Sequence, residues 1–430
     1  MADDLQRIND ELQTASPALA ALLSPLGRRT VYPRGIPFQA AEARGKRFNA
    51  TIGQITDGRG GAVPLPSLAE GLALSGDERT QALLYSPIEG RPELRRLWRE
   101  HQRRGVAEAV PSTLPLVTTG LTHGLALLAD LFAGEGRAVA VAEPFWGNYR
   151  QTFVTRTGAR LLGAPAYRDG RFAPRALAEA LDGLPAGEPA LAILNLPSNP
   201  GGYSPTPAER RELADSLVAA AARRPLLVIC DDAYAGLVFD DGIPAESMFW
   251  ELAGRHPSLV PVKVDGATKE LSFFGGRVGF LTFPFAPDSP AAAALESKVK
   301  CLLRAGIGSP VAPSQVLVAR ALASGRAGEE FEAVRLLLAE RCRALRQALA
   351  GCDPDLLVPM PFNAGCFALV ALAEGLDPET ARRHLLEHHE VGVVSIQPRF
   401  LRIAHCSLAA ADVPELVARM ERGVGELMGR

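Results

Sequence analysis

Two cationic side chains in one glycine-rich stretch of the sequence, residues 265–280, could do chemistry together. Lys269 can lose its proton when it is buried, and its free amine can then attack a carbonyl carbon. Arg277 stays charged and can hold a phosphate with a rigid fork of donors. The pair predicts a site for a carbonyl compound that carries a phosphate, although lysines near glycines are also common at protein surfaces.

Other regions offer groups that such a compound would need. Thr122, in a glycine turn before a predicted helix, offers a hydroxyl and backbone N–H groups to a phosphate. Trp146 offers a flat apolar face to an aromatic ring, although it could be ordinary core. Asp231 could keep a ring nitrogen protonated, although Asp231 and Asp232 could also be a solvated strand end. These groups fit pyridoxal 5'-phosphate, whose protonated ring is an electron sink.

Further polar residues could complete this site. Asn199 and Tyr234 follow apolar runs that could be neighbouring strands, and both could donate to the oxygen of the ring. Tyr234 could also be plain packing, and Asn199 could be only a turn residue before Pro200, where we predict a cis peptide bond. Arg402 could hold the carboxylate of an amino acid with two parallel hydrogen bonds, or form a surface salt bridge.

The suspected residues fall at the ends of predicted strands. From about residue 115, apolar runs of strand length alternate with helical segments, which predicts an α/β fold with a mostly parallel sheet covered by helices on both faces. Ligands bind at the carboxyl ends of the strands in such sheets. The predicted strands are residues 116–119, 138–142, 191–195, 226–231, 260–264 and 278–283.

The alternation stops after about residue 309, where longer helices and irregularly spaced strands predict a smaller α+β domain. We therefore predict a large cofactor-binding domain over residues 63–308 and a small domain over residues 309–430. Residues 1–62 would form an N-terminal arm and part of the small domain. Capping patterns at Ser67, Thr206 and Asp412 predict helix starts.

Bulk properties exclude several classes of protein. The chain has 430 residues, 22% of them charged, and a formal net charge of -2, so neither nucleic acid nor an anionic membrane is an expected partner. No apolar run is long enough to cross a bilayer, and the polar N-terminal residues do not resemble a secretory signal. The six cysteines contain no CxxC pair, and we expect most of them to be small core residues in a reducing cytoplasm.

Several motifs together resemble those of the class I/II, fold-type I pyridoxal-phosphate aminotransferases, in particular the aspartate and aromatic group. They follow the family's order and span about residues 49–410. The motifs are Tyr85-Ser-Pro-Ile-Glu-Gly90, Pro144-Phe-Trp-Gly-Asn148, Asn195-Leu-Pro-Ser-Asn-Pro-Gly-Gly202, Asp231-Asp-Ala-Tyr234, Gly266-Ala-Thr-Lys269 with Gly276-Arg-Val-Gly279, Gly365-Cys-Phe367 and Phe400-Leu-Arg402-Ile.

The resemblance implies a homodimer with composite active sites that moves an amino group between an L-amino acid and a 2-oxo acid. Lys269 would be the catalytic residue and would carry the pyridoxal phosphate. The implied cofactor-binding residues are Tyr85 from the partner subunit, Leu121, Thr122, Trp146, Asn199, Asp231, Tyr234, Thr268, Lys269 and Arg277. The implied substrate-binding residues are Ile52, Gly53, Trp146, Asn199, Arg304, Phe367 and Arg402.

Some features leave alternatives open. Gly266 stands where the family often has a phosphate-binding serine, so one phosphate contact would be missing or replaced. Arg304 could read a distal carboxylate of the substrate, but aromatic or broad specificity is also compatible with it. A pyridoxal-phosphate lyase or decarboxylase, or a non-catalytic module, could share the same scaffold.

One motif points to different chemistry. His384-Leu-Leu-Glu-His388 has the HxxEH form that some zinc peptidases use. Since no third ligand is evident in the sequence, we interpret it as a solvated helix face and expect no metal site.

Overall fold

The computed structural model describes residues 2–33, 35–106 and 110–430. Its helices are α1 (Ala2–Ala15), α2 (Pro17–Leu22), α3 (Pro25–Arg28), α4 (Ile36–Glu42), α5 (Pro66–Gly71), α6 (Gly76–Leu83), α7 (Pro92–Gln102), α8 (Leu121–Phe132), α9 (Ala176–Leu181), α10 (Pro207–Ala221), α11 (Met248–Leu252), α12 (Ala267–Glu270), α13 (Pro290–Gly306), α14 (Ala312–Ala323), α15 (Ala327–Ala350), α16 (Pro378–His388) and α17 (Val413–Leu427). A π-helical segment covers Arg150–Thr155, and 3-10 turns cover Phe274–Gly276, His405–Ser407 and Ala410–Asp412.

The strands are β1 (Phe48–Asn49), β2 (Leu116–Thr118), β3 (Ala138–Glu143), β4 (Arg160–Pro165), β5 (Tyr167–Arg168), β6 (Arg171–Phe172), β7 (Ala190–Asn195), β8 (Leu226–Asp231), β9 (Leu259–Gly266), β10 (Gly279–Thr282), β11 (Leu357–Pro359), β12 (Ala368–Leu372), β13 (Val391–Gly392), β14 (Val394–Ile396) and β15 (Phe400–Ile403). Each strand predicted between residues 116 and 283 is present, with its ends shifted by a few residues at most.

The central sheet has seven strands in the order β2-β10-β9-β8-β7-β3-β4. Strand β10 runs antiparallel to β2 and β9, and the other pairings are parallel. The predicted α/β fold with a mostly parallel sheet is therefore confirmed. Strand β4 lies at the sheet edge with only Ala164 buried, and its sequence does not predict a strand because Gly163 and Pro165 interrupt the short apolar stretch.

Helices cover both faces of this sheet, since successive side chains of a strand point to opposite faces. In β8, Val228 and Cys230 pack in a core with α9, α10 and α11, whereas Ile229 packs in a second core with α8 and α13. The parallel register pairs Asn195 with Asp231, and Asp231 with Val264. The carboxyl ends of β7, β8 and β9 therefore meet at one edge, which positions the site.

A second sheet, in the antiparallel order β11-β12-β15-β14, lies in the C-terminal part of the chain. It has its own apolar core, to which Phe48 contributes. Because β1 pairs in parallel with β13, the segment around Phe48 belongs structurally with the C-terminal elements. The division of the chain into residues 1–62, 63–308 and 309–430 stays a prediction.

The helix starts follow the capping patterns only in part. Thr206 and Glu209 form the predicted capping box of α10. A helix begins near Ser67 as predicted, since α5 starts at Pro66, but Ser67 does not cap it, because the Ser67 hydroxyl donates to Glu330 at 2.6 Å. Helix α17 follows Asp412 as predicted, but the Asp412 side chain does not cap it. Over the described ranges, none of the helices combines the length and apolarity that a membrane crossing requires.

Candidate active site

A pocket of about 190 Å³ opens at the carboxyl edge of the central sheet. It collects most of the predicted site residues. These are Ile52, Gly53, Leu121, Thr122, Trp146, Asn199, Asp231, Tyr234, Lys269, Phe367 and Arg402, and the rest of the lining is Ile36, Leu125, Tyr149, Asn195 and Ala233.

Lys269 enters this pocket from α12, the short helix that directly follows β9. Its amine lies over the Tyr234 ring, 5.2 Å from the ring centroid. Burial lowers the pKa of Lys269 and nearby Arg277 lowers it further, while Asp231 acts in the opposite direction. A lysine in this setting has a larger share of free amine at neutral pH than a surface lysine, which is what a nucleophile or proton carrier needs.

Asp231 is the buried carboxylate of the site, with 3% of the residue exposed. The Tyr149 hydroxyl donates to its Oδ2 at 2.6 Å, and the backbone N–H of Ala233 donates to its Oδ1 at 3.3 Å. Burial raises the pKa of Asp231, whereas the Tyr149 hydrogen bond and the charge of Lys269 lower it. A further positive charge beside Asp231 would stabilise its carboxylate, and a protonated ring nitrogen would supply that charge.

Tyr149 is a site residue that sequence reasoning missed. It follows Trp146 by one turn, and the two rings meet edge to face with centroids 5.5 Å apart. The sequence predicts a helix over residues 145–155, and the structure has a helical segment over residues 148–157, of which Arg150–Thr155 are π-helical. The spacing from Trp146 is the only signal in the sequence, and it does not distinguish a tyrosine bonded to Asp231 from a packing residue.

The other end of the pocket carries features of a phosphate site. Gly120 has φ 79° at the start of α8, and a Cβ there would lie 2.6 Å from Nη2 of Arg277. Arg277 itself is left-handed with φ 52°, an uncommon conformation that often marks a functional constraint. The buried Thr268 hydroxyl has no hydrogen-bond partner among the described residues. A cation, an unpaired hydroxyl and a helix N-terminus fit a phosphate.

Gly266 has a packing reason to lack a side chain. A Cβ at this position would lie 2.5 Å from the carbonyl oxygen of Val278 and 2.8 Å from the Cα of Gly279. These atoms are backbone at the start of β10 and cannot move aside as a side chain could. A serine hydroxyl is therefore excluded here by close contact between β9 and β10, and Thr268 offers the hydroxyl nearest in sequence.

Arg402 reaches the pocket from β15 and is almost fully buried. Its Nη1 donates to Oδ1 of Asn199 at 3.0 Å, its Nη2 donates to the carbonyl of Thr51, and its Cζ lies 4.2 Å from the centroid of the Phe367 ring. Its Nε has no partner among the described residues. Burial lowers the pKa of Arg402 to about 10, so it remains charged at neutral pH, and no carboxylate in the described part of the chain pairs with it.

Asn199 connects this arginine to the cofactor side of the pocket. Its Nδ2 donates to the Tyr234 hydroxyl at 3.4 Å, and its backbone N–H donates to Oδ1 of Asn195 at 2.7 Å. The Asn199–Pro200 bond is cis, as predicted. Gly53 lies so close to Phe367 that a Cβ would be 2.4 Å from the ring, which holds the segment with Ile52 at the mouth of the pocket.

Four predicted residues are absent from the pocket lining: Thr268 and Arg277, which are described above, and Tyr85 and Arg304. Tyr85 is 96% exposed, and Arg304 is exposed on the last turn of α13. Neither lines the cavity. Their roles in a site that two subunits share stay predictions.

Fold and site together define a member of the fold-type I aminotransferases. The chain belongs to the aminotransferase class I and II family, whose profile matches residues 48–420. It is 25% identical over 201 residues to aromatic-amino-acid aminotransferase 2 of Thermococcus litoralis, covering 46% of this chain and 49% of that protein. It is 31% identical over 225 residues to glutamate-pyruvate aminotransferase of Escherichia coli, covering 51% of each. The chain thus spans about half the length of these curated relatives.

The crystal structure of an aminotransferase from Anaerococcus prevotii has the same fold. It superposes with a TM-score of 0.81 at 20% identity, covering 92% of this chain and 98% of that one.

Proposed function

We propose that this protein is a pyridoxal-phosphate-dependent aminotransferase that moves an amino group between an L-amino acid and a 2-oxo acid. One observation carries the proposal. Lys269, Asp231 and Arg402 converge in a single pocket at the carboxyl edge of the sheet, in a chain of the aminotransferase family. An amine with a lowered pKa, a buried carboxylate and a buried unpaired arginine are the three groups that amino-acid chemistry on this cofactor needs.

The residues present would hold the cofactor at both ends. Thr268, Arg277 and the N-terminus of α8 would bind the phosphate, and Asp231 would pair with the ring nitrogen. Trp146 would cover one face of the ring, and Asn199 and Tyr234 would donate to its oxygen. The cofactor supplies the electron sink that stabilises negative charge at the substrate's Cα.

Lys269 would act as the base that takes the proton from the substrate's Cα. A base works best when its pKa lies near the working pH, and burial moves the pKa of Lys269 in that direction. Because the same amine would also bond the cofactor in the resting enzyme, it is already positioned beside the reacting carbon.

Arg402 would orient the substrate by its α-carboxylate. Its contacts to Asn199 and Thr51 fix the plane of the guanidinium. Its charge is otherwise uncompensated, so a carboxylate gains a charge-assisted pair in a setting where water is excluded. Holding the carboxylate fixes which bond at Cα faces the ring, which is a matter of positioning.

We also propose a homodimer in which Tyr85 and Arg304 act in the partner's site. Tyr85 and the segment after α13 carry exposed apolar neighbours, namely Leu83, Leu84, Ile307 and Val311. The Tyr85 turn contacts that segment, since the Ser86 hydroxyl donates to the carbonyl of Pro310 at 2.7 Å. Exposed apolar side chains near one such contact support a subunit interface there. Sedimentation should therefore report a dimer, and a monomer at micromolar concentration would contradict this part.

The cytoplasmic location predicted from the sequence is part of the same proposal. The six cysteines are free thiols, four of them buried, which supports a reducing compartment.

The proposal is tested with the purified protein, pyridoxal phosphate and a panel of donors (aspartate, phenylalanine, alanine, leucine and lysine) with 2-oxoglutarate. The wild type should show the visible absorption of bound cofactor and should turn over at least one donor. Lys269→Ala should lose both properties, while Lys298→Ala, a matched change of an exposed lysine on α13, should keep them. A wild type that stays colourless with added cofactor would overturn the proposal.

Two further measurements separate the alternatives. An aminotransferase forms a 2-oxo acid from the donor only when an acceptor is present, whereas a lyase or decarboxylase forms product without one. If Arg304 binds the distal carboxylate of a substrate, Arg304→Ala should lower the turnover of aspartate and leave the turnover of leucine unchanged.

A further inference from the structure

Three side chains far from the pocket converge on one point between the last two long helices. His384 lies on α16, His389 directly follows that helix, and Glu426 lies near the end of α17. The Nε2 atoms of His384 and His389 lie 2.8 Å and 2.9 Å from the same oxygen, Oε2 of Glu426. Their possible ligand atoms all lie within 4.8 Å of one another.

The two imidazoles are held in place by their surroundings. His389 is only 8% exposed, and its ring lies where a side chain at position 423 would stand. A Cβ on Gly423 would be 3.0 Å from Nε2 and 2.8 Å from Cδ2 of His389. The guanidinium of Arg419 donates to the carbonyl of His389 at 3.0 Å and fixes the backbone there. The ring of His384 is half-buried, 5.3 Å from that of His389.

The third side chain, Glu426, is the one with room to move. The side chain of Glu426 is 44% exposed, and its carboxylate accepts from both rings. A small retreat of this exposed side chain would leave space for an ion at the point where both nitrogens already aim.

We propose that His384, His389 and Glu426 form a binding site for a divalent transition-metal ion, most simply Zn²⁺, that links α16 to α17. Two imidazoles and a carboxylate are donors that suit Zn²⁺, with bonds of about 2.0–2.2 Å and a fourth position left to water. When the ion binds, each ring moves its proton from Nε2 to Nδ1 and presents a lone pair, so no proton needs to leave the protein.

The ligand set differs from the motif that suggested a metal in the sequence. The HxxEH pattern pairs His384 with His388, whereas the geometry selects His389 and supplies the missing third ligand from α17. The carboxylate comes from a residue distant in sequence, so no spacing rule could have found it. None of the three residues lines the pocket around Lys269, so the ion would stabilise the packing of the two helices and would have no part in catalysis.

The experiment titrates untagged, cofactor-loaded protein with ZnCl₂ by calorimetry and by thermal unfolding, with MgCl₂ as a control ion. The wild type should bind one Zn²⁺ per chain at this site and should unfold at a higher temperature as ZnCl₂ increases. His384→Gln, His389→Gln and Glu426→Gln should each weaken Zn²⁺ binding at least tenfold, because even partners outside the ligand shell change metal affinity about 10–100-fold.

Matched controls make the test specific. Glu387→Gln changes an exposed carboxylate on α16, and His388→Gln changes the second histidine of the motif. Both should keep wild-type Zn²⁺ affinity. X-ray absorption at the zinc edge should show two imidazoles in the bound wild type. Zn²⁺ binding that is equal in the wild type and all three ligand variants would overturn the proposal, as would a loss in His388→Gln as large as that in His389→Gln.

Discussion

Two lysine–aspartate groups lie almost side by side at the ends of β8 and β9 and behave in opposite ways. In the buried cluster, Lys263 contacts Asp265 and lies 3.4 Å from Asp232. Burial opposes the charge of Lys263, but Asp265 and Asp232 outweigh that effect and raise its pKa. In the pocket, Lys269 has no carboxylate in contact among the residues that the structure describes, and burial lowers its pKa. The number of carboxylates in contact therefore decides which lysine can be a nucleophile.

The alternation of side chains along a strand separates the two groups. Asp231 and Asp232 are neighbours in sequence and both are buried, but Asp231 lines the pocket and bonds Tyr149, while Asp232 points to Lys263. Asp265 also accepts from the indole N–H of Trp98 at 3.0 Å, which closes the cluster. The buried cluster thus pairs its lysine with carboxylates, whereas the pocket leaves charges that a cofactor and a substrate can satisfy.

The largest effect is expected from breaking the buried cluster. Lys263→Met removes the only cation in contact with Asp232 and Asp265 among the described residues, which leaves two carboxylates buried together. Removing one partner of a buried ion pair costs roughly 3–5 kcal/mol of stability. Chemical denaturation should show a loss of this size, while the folded fraction keeps its turnover. Should Lys263→Met abolish turnover at unchanged stability, Lys263 and not Lys269 would be the functional lysine.

The next effect should come from the carboxylate of the pocket. Asp231→Asn keeps the shape of the side chain but removes the charge that would keep the ring nitrogen protonated. Electrostatic stabilisation by one such group is worth about 10²–10³-fold in rate, so kcat should fall by about that factor. The control is Asp232→Asn, the same change in the neighbouring aspartate that faces Lys263, and steady-state kinetics compares the two variants. Equal losses of kcat in both variants would contradict the assignment of Asp231 to the cofactor.

Much of this arrangement could be predicted from the sequence because the strands of the central sheet have clear apolar patterns. Residues 226–231 are an uninterrupted apolar run that ends in Asp231, and the structure has this strand with the same bounds. Parallel register then brings Asn195, Asp231 and the β9 end together, as the strand-end rule requires. Backbone periodicity and strand ends are local features, so they can be read without knowing the packing.

Other features depend on contacts between distant segments and could not be predicted. The clash that requires Gly266 involves Val278 across a strand pairing, so the sequence showed only a missing hydroxyl. Nothing local marks Lys263 as a member of a buried cluster, because its partners come from two different strand ends. Tyr149 is the clearest case, since its role depends on Asp231, which is 82 residues away.

The smallest effect is expected from removing the hydrogen bond between Tyr149 and Asp231. Tyr149→Phe keeps the ring that packs against Trp146 and removes the hydroxyl that donates to Asp231 at 2.6 Å. A hydrogen bond to a charged group is worth about 1.5–3 kcal/mol, so kcat/KM should fall by a factor of about 10–100. If Tyr149 only packs, the variant should behave as the wild type.

The pH dependence identifies the cause of that loss. The hydrogen bond from Tyr149 lowers the pKa of Asp231 against the opposing effect of burial. Without it, the pKa of Asp231 rises, and the carboxylate becomes protonated at a higher pH. The acidic limb of the kcat/KM profile should therefore move to higher pH in Tyr149→Phe. The control variant Tyr32→Phe, which removes the hydroxyl of an exposed tyrosine, should leave the profile unchanged. A loss of activity with an unmoved acidic limb would mean that Tyr149 positions the ring of Trp146 and does not tune Asp231.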